Sequence, residues 1–128
     1  MALLNYTEIE CDEESWFTVT LTLQDEAGTV IPSASIDAIT CTLIDEYSGE
    51  TVNSRSDQDV FDANNGTMHE TSGLFTWEVQ TLDTTIVNTG TPIGEFERHM
   101  ATFTLTWDTS KKLHWRVLLK VRNLRTVT

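Results

Sequence analysis

Three histidines, two cysteines and twenty acidic side chains are the groups that could carry chemistry in this chain of 128 residues. His69, His99 and His114 lie far apart in the sequence. No two of them have the i, i+4 or alternate-residue spacing by which one helix or one strand offers a pair of imidazoles to zinc. Glu97 and His99 do alternate, and His99 shares its face with Ala101 and Phe103. His99 is therefore expected at the hydrogen-bonded end of a buried stripe, not as a ligand or base. Asp57, Asp59, Asp62 and Asn64 fail the EF-hand pattern: counted from Asp57, the fifth position is Phe61 and the sixth is Asp62, where an oxygen ligand and a glycine are needed. A solvated acidic loop is the expectation there, with a looser calcium site as the alternative. Gly-x-Ser-x-Gly, His-Glu-x-x-His and phosphate-binding glycine loops do not occur. Pairs such as Glu95 and Glu97 carry no information in so acidic a chain. The chain is expected to have no catalytic residue, no metal ligand and no cofactor, and not to be an enzyme.

Among the four tryptophans, Trp77, Trp107 and Trp115 fall in register with the apolar face of their own strands, which favours core over a carbohydrate-binding platform. Trp16 lies on the threonine face of its strand, placed to dock a partner or to sit under the N-terminal segment. Cys41, inside Ile39-Thr40-Cys41-Thr42-Leu43, reads as a buried thiol. Pairing with Cys11 is the alternative, which a chain without a visible secretory signal does not favour.

The formal net charge is −12, and it is unevenly placed. Every acid lies at or before Asp108, whereas six of the eight lysines and arginines lie from Lys111 to Arg125. The acidic body repels phosphate at long range, so nucleic acid is not an expected partner. The basic end has two readings: pairing with acidic neighbouring strands of the same domain, or contact between subunits, the basic strand of one copy meeting an acidic face of another. On the second reading Arg116, Lys120, Arg122 and Arg125, together with Trp16, are the candidate interaction residues.

The elements that must position these groups are strands. Ala101–Trp107 alternates Ala101, Phe103, Leu105 and Trp107 with three threonines, and in Leu113–Val121 Leu113, Trp115, Val117, Leu119 and Val121 share a face, with His114, Arg116, Lys120 and Arg122 opposite. A period of two puts successive side chains on opposite faces of a sheet, so each strand has one buried and one wet face. The turn Asp108-Thr109-Ser110-Lys111-Lys112 joins them, and the first strand is expected to begin near Glu95. Trp16–Leu23, Ile36–Ile44 and Leu74–Val79 are further strands, with short ones at Glu50–Arg55 and Thr67–Glu70. Asp57–Phe61 is expected to form one helical turn capped by Ser56. Asn64-Asn65-Gly66 carries the strongest hairpin signal, and Leu82–Pro92 is a polar loop. The fold class is thus all-β: an antiparallel two-sheet sandwich of about seven strands, immunoglobulin-like in strand number and length, with a jelly roll or small barrel as alternatives. One domain is expected over 1–128, with a flexible segment 1–14. No apolar run is long enough for a membrane helix, and the expected place of synthesis is the cytoplasm, without a signal peptide.

The strand and turn signals Leu21-Thr22-Leu23, Gly28-Thr29-Val30-Ile31-Pro32, Thr42-Leu43-Ile44-Asp45, Gly49-Glu50, Asn53-Ser54-Arg55 and Asp59-Val60 carry a resemblance. Gly73-Leu74-Phe75-Thr76-Trp77, Glu97-Arg98-His99-Met100-Ala101-Thr102-Phe103 and Val121-Arg122-Asn123-Leu124 extend it over most of the chain. Together they resemble the small immunoglobulin-like β-sandwich proteins of tailed-bacteriophage virions. The resemblance implies a non-enzymatic structural protein, residing in the virion in many symmetric copies. Its partners would be the major capsid protein or other virion subunits, itself included, and neither nucleic acid nor membrane. Head decoration or cementing is the first expectation, a neck, tail or baseplate part the second. A carbohydrate-binding or adhesion module is the rival class. No site residue is transferred by the resemblance.

Overall fold

The computed structural model describes residues 6–25, 27–69, 73–88 and 95–124. Two long strands dominate: β7 (Phe96–Trp107) and β8 (Lys111–Arg122). They pair antiparallel without a break from Phe96↔Arg122 to Trp107↔Lys111. Asp108 and Thr109 both adopt positive φ in the connecting turn, so the chain reverses in three residues and β8 starts two residues before Leu113.

Six further strands complete two sheets: β1 (Tyr6–Asp12), β2 (Phe17–Thr22), β3 (Ile36–Asp45), β4 (Gln58–Asp59), β5 (Gly66–Met68) and β6 (Leu74–Val79). One sheet has the order β1-β8-β7-β3-β4, the other β2-β6-β5. Lettering the eight strands A, B, C, C′, D, E, F, G gives A-G-F-C-C′ against B-E-D. This is the immunoglobulin-like order, with the first strand laid beside the last instead of the second. The sequence leads one to expect an antiparallel sandwich, and the sheets depart from that at one strand: β1 runs parallel to β8 from Tyr6↔Arg116 to Asp12↔Arg122. Segment 1–14 is correspondingly not a flexible leader over Tyr6–Asp12. Ile9 and Cys11 turn inward against the core, while Glu8, Glu10 and Asp12 face out. Residues 1–5 lie outside the described residues.

Three local expectations are corrected. Glu50–Arg55 follows the end of β3 through bonds such as Val52 N–H to the Leu43 carbonyl, yet Asn53 and Ser54 in succession adopt positive φ and break the ladder. Asp57–Phe61 is not a helical turn, since Gln58 and Asp59 pair with Cys41 and Thr40 of β3. Asn64-Asn65-Gly66 does not close a hairpin; it carries the chain from β4 in one sheet to β5 in the other. Asn64 and Asn65 themselves take the left-handed conformation there. Gly66 is already in β5, and it is glycine for lack of room: a Cβ would overlap the Val60 carbonyl oxygen and lie 2.9 Å from the Phe75 ring. Gly66→Ala should therefore cost ~1–3 kcal/mol, as overpacking does, measured by urea unfolding; a change below about 0.5 kcal/mol would show that the β4–β5 crossing yields.

The core is aromatic. Phe103 of β7 stacks on its cross-strand partner Trp115 (centroids 5.4 Å apart, planes at 9°). From the facing sheet, Trp77 and Phe75 both meet Phe103 edge-on, with centroids 5.2 Å and 5.7 Å away. Val19, Leu23, Ile39, Leu43, Leu105 and Val117 surround this group. Cys41 is fully buried among them, and its thiol is pushed up to about 12, chiefly by burial. Both cysteines are free thiols.

Candidate functional site

Period-two alternation does not stop where the apolar residues stop. In β3 the inward row Ile39, Cys41, Leu43 continues to Asp45, and in β7 the row Leu105, Phe103, Ala101 continues to His99 and Glu97. Asp45 and His99 are direct cross-strand partners. The strand register thus delivers two carboxylates and an imidazole into the interior at one end of the sandwich, all three buried. Among the described residues this is one group of three metal-ligating side chains, with ligand atoms all within 4.8 Å of one another.

Hydrogen bonds hold it. His99 Nε2 lies 2.6 Å from Glu97 Oε1, and His99 Nδ1 lies 2.8 Å from the Asp83 carbonyl oxygen. Glu97 accepts the backbone N–H groups of Val87 (2.7 Å) and Asn88 (3.0 Å). The Asn88 side-chain amide donates to both Glu97 Oε2 and Asp45 Oδ2. Ser48 donates its N–H and its hydroxyl to Asp45 Oδ2. Burial works to raise the Asp45 pKa, but the bonds from Ser48 and Asn88, with the charge on His99, outweigh it and hold the carboxyl below its ordinary value. The expectation for His99, a hydrogen-bonded end of a buried stripe, agrees with this geometry.

A second polar node abuts the first. Asp83 closes a 3-10 turn (Thr81–Asp83), where its carboxylate accepts the Gln80 N–H. The same carboxylate takes a forked pair from Arg55, Nε to Oδ1 at 2.6 Å and an NH2 donor to Oδ2 at 3.0 Å, plus Asn53 Nδ2. Arg55 also donates to Gln58, to the Asn64 carbonyl and to Asn65, and its guanidinium lies 5.6 Å from the Trp77 ring centroid. Sequence reading singled out neither Arg55 nor Asp83. A lone arginine in an acidic stretch, Ser56-Asp57-Gln58-Asp59 following it, is the one signal that was available.

The other groups stay apart. His69 contacts Thr76 and His114 contacts Thr104, on different sheets. In the acidic loop, Asp59 accepts the Phe61 N–H and Asp62 the Met68 N–H, so both carboxylates serve local turns. Trp16 precedes β2 and is 58% exposed, its indole nitrogen 3.4 Å from Glu78. The basic residues of β8 line the outer face of the larger sheet beside the acids of β1. Lys120 aligns with Glu10 and Arg122 with Asp12, and Arg122 forms a 2.9 Å ion pair with Asp12. Lys120 also sits over the Phe96 ring at 4.4 Å. Arg116 is exposed between Tyr6 and Thr102. Arg125 lies outside the described residues.

No family model and no curated protein matches this chain. No helix among the described residues is long and apolar enough to cross a membrane.

Proposed function

We propose that this protein is a non-enzymatic structural subunit of a tailed-phage virion, acting by binding alone, with head decoration or cementing favoured over a neck, tail or baseplate role. The observation that carries this reading is the outer face of the larger sheet. There β1, the edge strand among the described residues, presents Glu8, Glu10 and Asp12; β8 beside it presents Arg116, Lys120 and Arg122, and β7 on the far side of β8 presents Arg98. Two adjoining stripes of opposite sign make a surface that can meet a neighbouring copy or a charged particle wall in one register and not in others. Charged side chains along that edge also suppress indiscriminate strand pairing, which suits a subunit that must wait for its proper surface. The exposed aromatics Trp16, Tyr6 and Tyr47 stand on three different segments, an arrangement that does not favour the glycan-platform rival.

The test uses Arg116→Glu together with Lys120→Glu and Arg122→Glu. Co-sedimentation with purified capsids or tails should fall at least tenfold. The folding cost should stay near ~1–2 kcal/mol, since exposed ion pairs contribute little. Unchanged co-sedimentation with a large loss of thermal stability would show that the basic strand serves the domain alone.

A further inference from the structure

The Asp45–Glu97–His99 cluster has a charge and hydrogen-bond balance that its own side chains leave open. Asp45 Oδ1 is buried and accepts no hydrogen bond, although Oδ2 of the same carboxylate accepts three. An ionised oxygen withdrawn from water without a donor is costly to leave in place. The Asp83 carbonyl oxygen can only accept, so His99 Nδ1 carries a hydrogen and donates it there. His99 Nε2 faces Glu97 Oε1 at 2.6 Å, a contact that either a proton or a metal ion closes. A proton there leaves two carboxylates against one imidazolium and still gives Asp45 Oδ1 no partner, whereas a cation within reach of all three side chains meets both needs. Among the described residues no lysine or arginine donates to any of the three side chains. The arginine next to the cluster, Arg55, is already matched by Asp83.

We propose that Asp45, Glu97 and His99 bind one divalent transition-metal ion of the zinc type, through His99 Nε2 and one oxygen of each carboxylate. One imidazole and two carboxylates suit zinc, whereas calcium asks for six to eight oxygens. Two ionised carboxylates balance the charge of a divalent ion. The backing is also that of a metal-bound histidine: the Asp83 carbonyl fixes the ring from behind, and Asn88 orients both carboxylates at once. Ligand atoms around a tetrahedral zinc ion lie about 3.3 Å apart, given bonds of ~2.0–2.1 Å. Glu97 must therefore withdraw by somewhat over half an ångström as the ion replaces the proton it shares with His99. An ion there would tie the end of β3 to the start of β7. The inference does not depend on the assembly reading.

The test is a titration of chelator-treated, full-length protein with zinc chloride by calorimetry and with cobalt chloride by visible absorption. One ion per chain should bind, cobalt should show the d–d bands of a low-coordinate nitrogen–oxygen site, and zinc should raise the melting temperature. Asp45→Asn should weaken zinc binding by more than about 100-fold, because losing only an outer partner of a metal ligand already costs ~10–100-fold. Asp57→Asn with Asp59→Asn, in the acidic loop, should leave it unchanged. A readout on the unaltered chain covers the case in which Asp45→Asn fails to fold: of the three histidine rings, His99 should be the one whose nitrogen resonances move on adding zinc. No saturable binding up to about millimolar zinc, binding indifferent to Asp45→Asn, or movement of His69 or His114 without His99 would each overturn the proposal.

Discussion

Arg55→Ala is expected to lower the unfolding free energy by ~3–5 kcal/mol, the cost of leaving one partner of a buried ion pair uncompensated. Arg55 and Asp83 have side chains 2% and 0% exposed, so water does not replace the missing guanidinium. The loss extends beyond the pair. Gln58, the Asn64 carbonyl and Asn65 lose a donor, and Trp77 loses the cation over its ring. Those groups belong to the β3–β4 excursion, the β4–β5 crossing and the core, so one side chain ties three parts of the molecule together. Against a domain stability of ~5–15 kcal/mol the loss is a large fraction. Replacing Arg55 and Asp83 together by apolar residues, which often relieves a buried ion pair, should not restore stability here. Asp83 also receives Asn53 and the Gln80 N–H, and both would be left without an acceptor. Urea unfolding of the two single variants and the double variant measures this. A loss below about 1 kcal/mol for Arg55→Ala would mean that water reaches the pair.

Phe103→Ala should cost a comparable ~3–5 kcal/mol by a different route, lost apolar transfer plus an unfilled cavity. Phe103 touches three other rings, one stacked and two edge-on, drawn from both sheets. Its removal unsupports Trp77 and Trp115 together, and near-ultraviolet dichroism should fall along with stability. Phe103→Leu, which keeps most of the volume, should cost less than half as much. Equal losses for alanine and leucine would indicate that ring geometry, not filled volume, is what the site requires.

The strands that bury one face and wet the other were legible in the sequence: β2, β6, β7 and β8 each alternate over six residues or more, and period two needs no knowledge of partners. β1 was not legible as a strand. Its inward residues Ile9 and Cys11 are too few to stand out, and Glu8, Glu10 and Asp12 read as a solvated tail until β8 sets Lys120 opposite Glu10 and Arg122 opposite Asp12. The segregation of acids and bases along the chain was the trace of that pairing, visible in charge and not in hydropathy. The buried polar end of the sandwich was half legible. His99 and Glu97 follow from extending the β7 alternation, and Asp45 follows from the same extension in β3. An acid closing an apolar strand, however, is ordinarily read as the start of a turn. Arg55 showed only its isolation among acids, because its partner Asp83 lies 28 residues away in a 3-10 turn that no period announces.

The proposed assembly role is tested most directly by measuring how much of this chain is present per particle. Virions from cells expressing it are banded on a density gradient, and the chain is quantified by mass spectrometry relative to the major capsid protein. A fixed stoichiometric ratio that persists through repeated banding and matches a symmetric set of sites is the predicted result. Its presence only in the particle-free fractions, as a monomer, would contradict the account.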